Sequence, residues 1–101
     1  MQLGFSFVLL GLASSALADW HLDLFQDKDC TQGIQSKTGD EHKSASGDFD
    51  SSVQCVRAAI YDQNLGKLDI RCDSMGKNLG VGETFWLAAS YGKCGWDWTS
   101  H

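Results

Sequence analysis

The chain has 101 residues and a formal net charge of −5 at pH 7, which is enough for one small domain but not for two. Nucleic acids and anionic membranes are bound by clustered lysines and arginines, so this acidic balance disfavours both as the main partner. A hydrophobic content of 43% is typical of a folded domain, and the absence of proline excludes proline-rich linkers.

Residues 1–18 have the pattern of a secretory signal peptide. An apolar run at residues 3–12 is followed by small residues and by Ala16-Leu17-Ala18, which matches the A-x-A cleavage pattern. The run is too short to span a bilayer, which takes about 20 residues. The sequence therefore predicts cleavage after Ala18 and a secreted, extracellular domain at residues 19–101, without a membrane anchor.

Segments with alternating apolar side chains predict a mainly β domain. The clearest is residues 20–26, in which Trp20, Leu22 and Leu24 share one face. Further strands are expected at residues 34–38, 67–72 and 84–88, with polar loops at residues 39–52 and 74–82.

Residues 53–61 admit two interpretations. A helix at about residues 52–63 would give an α+β fold, and Ser51 with Gln54 would form its capping box. A strand is favoured because residues 67–72 follow at hairpin distance and would form its antiparallel partner.

Four cysteines fall in the secreted part of the chain. An even number of cysteines in a small exported domain indicates two disulfides. Their wide spacing, without a CxxC pair, is unlike that of a structural zinc site. Three pairings are possible, and the sequence does not choose among them; the disulfide residues are Cys30, Cys55, Cys72 and Cys94. We expect the reduced protein to be largely unfolded at body temperature.

One short pattern occurs twice. Leu22-Asp23-Leu24, followed by Asp27, recurs as Leu68-Asp69-Ile70, followed by Asp73. In both copies an alternating strand runs into an acidic turn near a cysteine and a glycine. A true repeat would mean two Greek-key-like halves that share one core.

Residues 22–30, Gly33 and residues 48–53 resemble the first half of a βγ-crystallin-like Greek key, and residues 67–82 resemble a fainter second copy. With a signal peptide and four cysteines, the chain is also similar to small secreted cysteine-rich fungal proteins of effector type. The resemblance implies a small disulfide-bridged two-sheet sandwich. It also implies an effector- or toxin-like protein that acts by binding an extracellular or host target.

The same resemblance raises calcium as an alternative ligand. In calcium-binding crystallin-like domains, two acidic or amide residues, two free positions and then Ser/Thr-Ser precede the fourth strand. Asp48, Ser51 and Ser52 match this step, whereas Gly47 replaces its first acidic residue. Calcium takes about six to eight oxygen ligands, and this step supplies few of them, so we expect no resident cofactor.

Aromatic residues are concentrated near the C-terminus: Trp86, Tyr91, Trp96 and Trp98. Trp96 and Trp98 would share one face of a strand. One interpretation is that these rings fill the core of a domain with few leucines and isoleucines. The other is that they form a flat surface that binds a sugar ring or a partner protein, which makes all four candidate ligand-binding residues.

The sequence contains no pattern that predicts catalysis. His21, His42 and His101 show no Ser/His/Asp or Cys/His arrangement, and bridged cysteines cannot act as nucleophiles. A small secreted hydrolase or ribonuclease is therefore an alternative only. We expect a monomeric, non-catalytic protein that binds an extracellular protein or glycan.

Overall fold

The computed structural model describes residues 19–101, which form two four-stranded antiparallel sheets. The first sheet has the order β2-β1-β4-β7, with strands β1 Asp19–Phe25, β2 Gly33–Asp40, β4 Cys55–Ile60 and β7 Thr84–Trp86. The second has the order β3-β8-β5-β6, with strands β3 Ala45–Asp48, β5 Gly66–Cys72, β6 Gly76–Asn78 and β8 Cys94–Ser100. A 3-10 helix, Ala89–Tyr91, is the only helical segment in this part of the chain.

This architecture confirms the prediction of a mainly β, two-sheet fold. The alternative helix at about residues 52–63 is wrong, because β4 runs through that segment between β1 and β7. The predicted signal peptide, residues 1–18, lies outside the described residues.

The two halves of the domain have the same strand order. β1, β2 and β4 lie side by side in the first sheet, and β5, β6 and β8 do so in the second. The third strand of each half, β3 or β7, joins the sheet of the other half. The repeated sequence pattern falls on equivalent strands, since its copies lie in β1 and β5. The exchanged strands join both halves into one fold.

Apolar side chains from both sheets meet in one core. Leu22 and Leu68, at equivalent positions of the two halves, are both 0% exposed. Three indole rings pack together, with the ring of Trp20 4.8 Å from that of Trp96 and 6.3 Å from that of Trp98. Large aromatic side chains thus supply much of the buried apolar area that a small domain needs.

All four cysteines form disulfides, as predicted. The pairs are Cys30–Cys55 and Cys72–Cys94. Cys55 begins β4 and is bridged to Cys30 in the turn between β1 and β2, whereas Cys94 begins β8 and is bridged to Cys72, the last residue of β5. In each half, one bridge thus ties the start of the fourth strand to a position at or after the first strand.

Several predicted strand limits are wrong. The expected loop at residues 39–52 contains β3, and the expected loop at residues 74–82 contains β6. Both strands lie at sheet edges and are polar, so they lack the apolar alternation by which strands are recognised. β2 is longer than expected, and β7 ends at Trp86.

The predicted hairpin of β4 and β5 is also wrong. The turn at residues 61–65 carries the chain from the first sheet to the second, where β5 pairs with β6 and β8. The sequence correctly indicated a turn between β4 and β5. It did not indicate which strands pair, because strand pairing in a two-sheet fold depends on contacts between residues far apart in the sequence.

Candidate functional site

A groove of about 600 Å³ lies where β4 and β8 begin. Its walls include the equivalent third-to-fourth-strand loops of the two halves, residues 49–54 and residues 87–93. Corresponding backbone hydrogen bonds hold the loops: Phe49 N donates to Cys94 O at 3.0 Å, and Leu87 N donates to Gln54 O at 2.9 Å. The groove is thus built into the fold and braced by the neighbouring disulfide.

The groove combines apolar and charged side chains. Its apolar lining includes Phe49, Val53, Leu87, Ala88 and Ala89. Its charged lining comprises Asp48, Asp50, Arg71, Asp73 and Lys93. A concave surface with apolar walls and a few polar groups is the usual form of a binding site.

Arg71 is held by groups of its own chain. Its Nε lies 3.3 Å from both carboxylate oxygens of Asp97, and Nη1 lies 3.5 Å from Asp48 Oδ1. Its Nη2 donates to the carbonyl of Gly47 at 3.1 Å. Such half-exposed ion pairs add little stability, but together they fix the direction of the guanidinium.

Two carboxylates at the groove, those of Asp50 and Asp73, are held by hydrogen bonds and not by ion pairs. The hydroxyl and backbone N–H of Ser52, together with the charge of Lys37, hold the pKa of Asp50 below its usual value. Asp73 Oδ2 accepts a hydrogen bond from the backbone N–H of Lys93 at 3.0 Å. Asp50 and Asp73 take part in none of the ion pairs found among residues 19–101.

The residues predicted for calcium all lie at this groove or its rim. Asp48 is in contact with Arg71, while the Ser52 hydroxyl donates to Asp50. Ser51 lines the groove, and its carbonyl accepts a hydrogen bond from Gln54 Nε2 at 3.3 Å. Within residues 19–101, no group of three or more His, Cys, Asp or Glu side chains is arranged to hold a metal ion.

The four aromatic candidates are not brought together on one surface. Trp96 and Trp98 are 9% and 1% exposed and belong to the core, in accordance with the first of the two interpretations. Tyr91 stacks on Phe85, with ring centroids 5.8 Å apart and planes 6° from parallel. Trp86, at 48% exposed, is left as an isolated surface indole.

Trp86 lies beside the first disulfide on the edge strand β7. It pairs in register with Cys55, and Lys28 Nζ lies 5.9 Å from the centroid of its ring. This contact is a cation–π interaction that covers part of the exposed indole.

The histidines lie away from the groove lining. His21 is in the middle of the first sheet on β1, and His42 is in the exposed turn between β2 and β3. Sequence reasoning did not find Arg71, Asp73 or Lys93, although the repeated pattern had marked Asp73 as the counterpart of Asp27.

No family model matches this chain, and no match was found among curated proteins or solved structures. Within residues 19–101, no helix is long and apolar enough to cross a membrane.

Proposed function

We propose that this protein is a secreted interaction protein, of effector or toxin type, that binds an extracellular or host protein through the groove without catalysing a reaction. The observation that carries the proposal is the groove itself: about 600 Å³ of concave surface with apolar walls and charged groups, formed by two braced loops. Preformed loops favour binding because little conformational freedom is lost when a partner docks.

The states of the charged groups favour binding over catalysis. A general acid or base works best with a pKa near the working pH, whereas the pKa of Asp50 is lowered away from neutrality. The guanidinium of Arg71 is already occupied by Asp48, Asp97 and a carbonyl group. The charged groups of Asp50 and Arg71 are therefore held in fixed positions, which suits contact with a partner.

Two further observations support an extracellular role. Disulfides persist in oxidising compartments, and both bridges of this domain form from cysteines that follow the predicted signal peptide. Two antiparallel sheets with two disulfides are also compatible with a small cysteine-rich sandwich of the kind that is secreted.

A groove-filling substitution tests the proposal. Ala89 lines the groove, whereas Ser90, its neighbour in the same 3-10 helix, does not. Peptides selected from a display library on the purified oxidised protein should bind wild type and Ser90→Trp equally, and should bind Ala89→Trp at least about tenfold more weakly because the indole occupies their place.

Nuclear magnetic resonance of the labelled protein would show where the selected peptides bind. Shifts confined to residues 49–54 and 87–93 support the proposal. Peptides that bind Ala89→Trp as tightly as wild type, with shifts elsewhere, overturn it. The dispersion of the amide resonances of each variant, compared with wild type, checks that both variants keep the native fold.

Carbohydrate binding is a second candidate function, favoured by the exposed ring of Trp86 with Lys28 beside it. Sugar rings stack on exposed indoles, and a lysine can donate to sugar hydroxyls. Titration with soluble glycans, read by tryptophan fluorescence, should then show saturable quenching that Trp86→Ala abolishes. Thermal melting with calcium and with chelator tests the crystallin-like alternative, which requires a calcium-dependent shift in Tm.

A further inference from the structure

We infer that the groove receives a positively charged side chain, lysine or arginine, carried on an extended segment of the partner protein. This inference rests on the proposed function and adds the chemical class of the contact. It follows from the charges left without an ion-pair partner at the groove, together with its apolar wall.

The negative charge at the groove exceeds the positive charge. Arg71 is shared between two carboxylates, Asp48 and Asp97, so that local cluster is already negative. Asp50, Asp73 and Lys93 also line the groove, and none of these three takes part in the ion pairs found among residues 19–101. The charge of Lys37 acts on Asp50 from beside the groove. The four carboxylates of Asp48, Asp50, Asp73 and Asp97 thus exceed the three cations by one charge, and a cation entering the groove meets this excess negative charge.

Both carboxylates are positioned for a cation. Asp50 is fixed by Ser52 and Asp73 by the backbone of Lys93, so neither has to be ordered when a partner arrives. Each keeps lone pairs for a further charge-assisted hydrogen bond, which is shorter and stronger than a neutral one.

The apolar wall selects a cation with a long stem. The methylene groups of lysine or arginine can lie on apolar surface while the charged end reaches a carboxylate. Phe49, Leu87 and Ala88 supply such a surface beside the charged groups. A groove of about 600 Å³ exceeds one side chain, so residues flanking the cation enter it as well.

The net charge of the domain also favours a partner segment that carries a lysine or an arginine. Every charged side chain of the protein lies in residues 19–101, which carry the full net charge of −5. The electrostatic field of this negative net charge attracts basic segments and accelerates their association. An acidic segment would place like charge against Asp50 and Asp73.

Three peptides test the inference: acetyl-Ala-Leu-Arg-Leu-Ala-amide, the same peptide with citrulline in place of arginine, and the same peptide with glutamate. Citrulline keeps the shape of arginine but carries no charge. Titrations of the labelled oxidised protein, followed by nuclear magnetic resonance, should show that the arginine peptide binds about tenfold more tightly than the citrulline peptide, and that the glutamate peptide binds most weakly.

Asp50→Asn and Asp73→Asn remove the charge but keep an acceptor oxygen for the local hydrogen bonds. Each should weaken the arginine peptide by about three- to tenfold and leave the citrulline peptide unchanged. Asp62→Asn is the matched control, because Asp62 Oδ1 also accepts from the backbone N–H two residues further on, at 2.9 Å, but lies outside the groove. It should leave both affinities unchanged.

The possible results separate the two proposals. Equal binding of the arginine and citrulline peptides, lost for both in Ala89→Trp, overturns the charge inference and keeps the groove as a binding site. Arginine-dependent binding that survives Ala89→Trp, or that Asp62→Asn weakens as much as Asp50→Asn, places the contact elsewhere and also overturns the inference. So does a failure of all three peptides to shift any resonance at millimolar concentration.

Discussion

Gly39 of β2 lies directly opposite Trp20 of β1, and a Cβ at position 39 would come within 2.8 Å of Trp20 Nε1. A similar contact occurs in the second sheet: Gly47 of β3 faces Trp96 of β8, where a Cβ would lie 2.7 Å from Cζ2. The indole ring occupies the space that a side chain would need on the neighbouring strand. Glycine is required at both positions for close approach, not for a turn.

We predict that Gly39→Ala lowers the free energy of unfolding by about 1–3 kcal/mol, the usual cost of overpacking a core. The ring of Trp20 cannot move aside, because it packs against Trp96 and Trp98. Urea denaturation of the oxidised protein, compared at the transition midpoint, measures the change.

Gly33→Ala is the matched control on the same strand. A Cβ at Gly33 meets only the ring of Phe25, at 4.0 Å, which is ordinary contact. Alanine also restricts the unfolded chain more than glycine does, so this variant should be unchanged or up to about 1 kcal/mol more stable. Equal destabilisation by both substitutions would contradict the role assigned to Trp20.

The glycine–indole contacts illustrate what the sequence could and could not predict. Alternation placed Trp20 and Leu22 on one buried face correctly, because β1 is a central strand of the sheet. The pairing of Gly39 with Trp20 was not predicted, since the end of β2 is polar and was assigned to a loop. Polar edge strands carry little apolar signal, so β3 and β6 were missed for the same reason.

The groove was not predicted from the sequence, although some of its residues had been named as candidate calcium ligands. Asp48, Ser51 and Ser52 were identified as those candidates from local sequence, because they lie within five consecutive residues at the end of β3 and in the loop that follows it. Arg71 joins them only because β3 crosses to the sheet of the other half and lies next to β8, which also pairs with β5. No local pattern contains that information, whereas the repeated strand pattern did indicate two equivalent halves.

Removing either disulfide should cost about 3 kcal/mol of unfolding free energy in the loop-entropy model. The bridged cysteines are separated by 25 residues in one case and 22 in the other, so the entropic losses should be nearly equal. Chemical denaturation of the Cys30→Ala/Cys55→Ala and Cys72→Ala/Cys94→Ala proteins measures them.

Full reduction removes both bridges and should leave the protein largely unfolded at 37 °C, since the combined loss is comparable to the whole stability of a small domain. Thermal melting followed by far-ultraviolet circular dichroism, with and without reductant, checks this. A reduced protein that still melts cooperatively well above 37 °C would show that the two sheets are stable without covalent support.

Asp27 makes the stability of the first disulfide loop depend on pH. Hydrogen bonds from the Thr31 hydroxyl and from the backbone N–H groups of Thr31 and Gln32 hold the pKa of Asp27 below its usual value of 3.8. A carboxyl whose pKa is lowered on folding stabilises the folded state above its unfolded-state pKa. That contribution is lost as the pH falls from about 4 through the folded-state pKa.

Asp27→Asn should therefore make the acid limb of the stability profile shallower than in wild type. Unfolding free energies measured between pH 7 and pH 2 give both profiles, and a carbon-13 titration of the side-chain carboxyl gives the Asp27 pKa directly. An Asp27 pKa at or above 3.8 would refute the proposed link.

Lys37 protects the open edge of the first sheet. Within the described residues 19–101, β1 is the only strand beside β2, so the other side of this eight-residue edge strand has no strand partner there. Lys37 pairs in register with Leu22, a 0% exposed core residue, so its side chain starts from the inner face of the sheet. An inward-pointing charge on an edge strand is a known barrier to edge-to-edge association, because pairing with a second sheet would bury it.

We predict that Lys37→Val removes this barrier and that the protein self-associates with increasing concentration, its mean mass rising toward about twice that of the monomer. Lys37→Arg keeps the charge and should stay monomeric. Sedimentation velocity of the three oxidised proteins over a concentration series makes the comparison. A monomeric Lys37→Val protein throughout that series would mean that the polar backbone and neighbouring side chains of β2 suffice to prevent pairing.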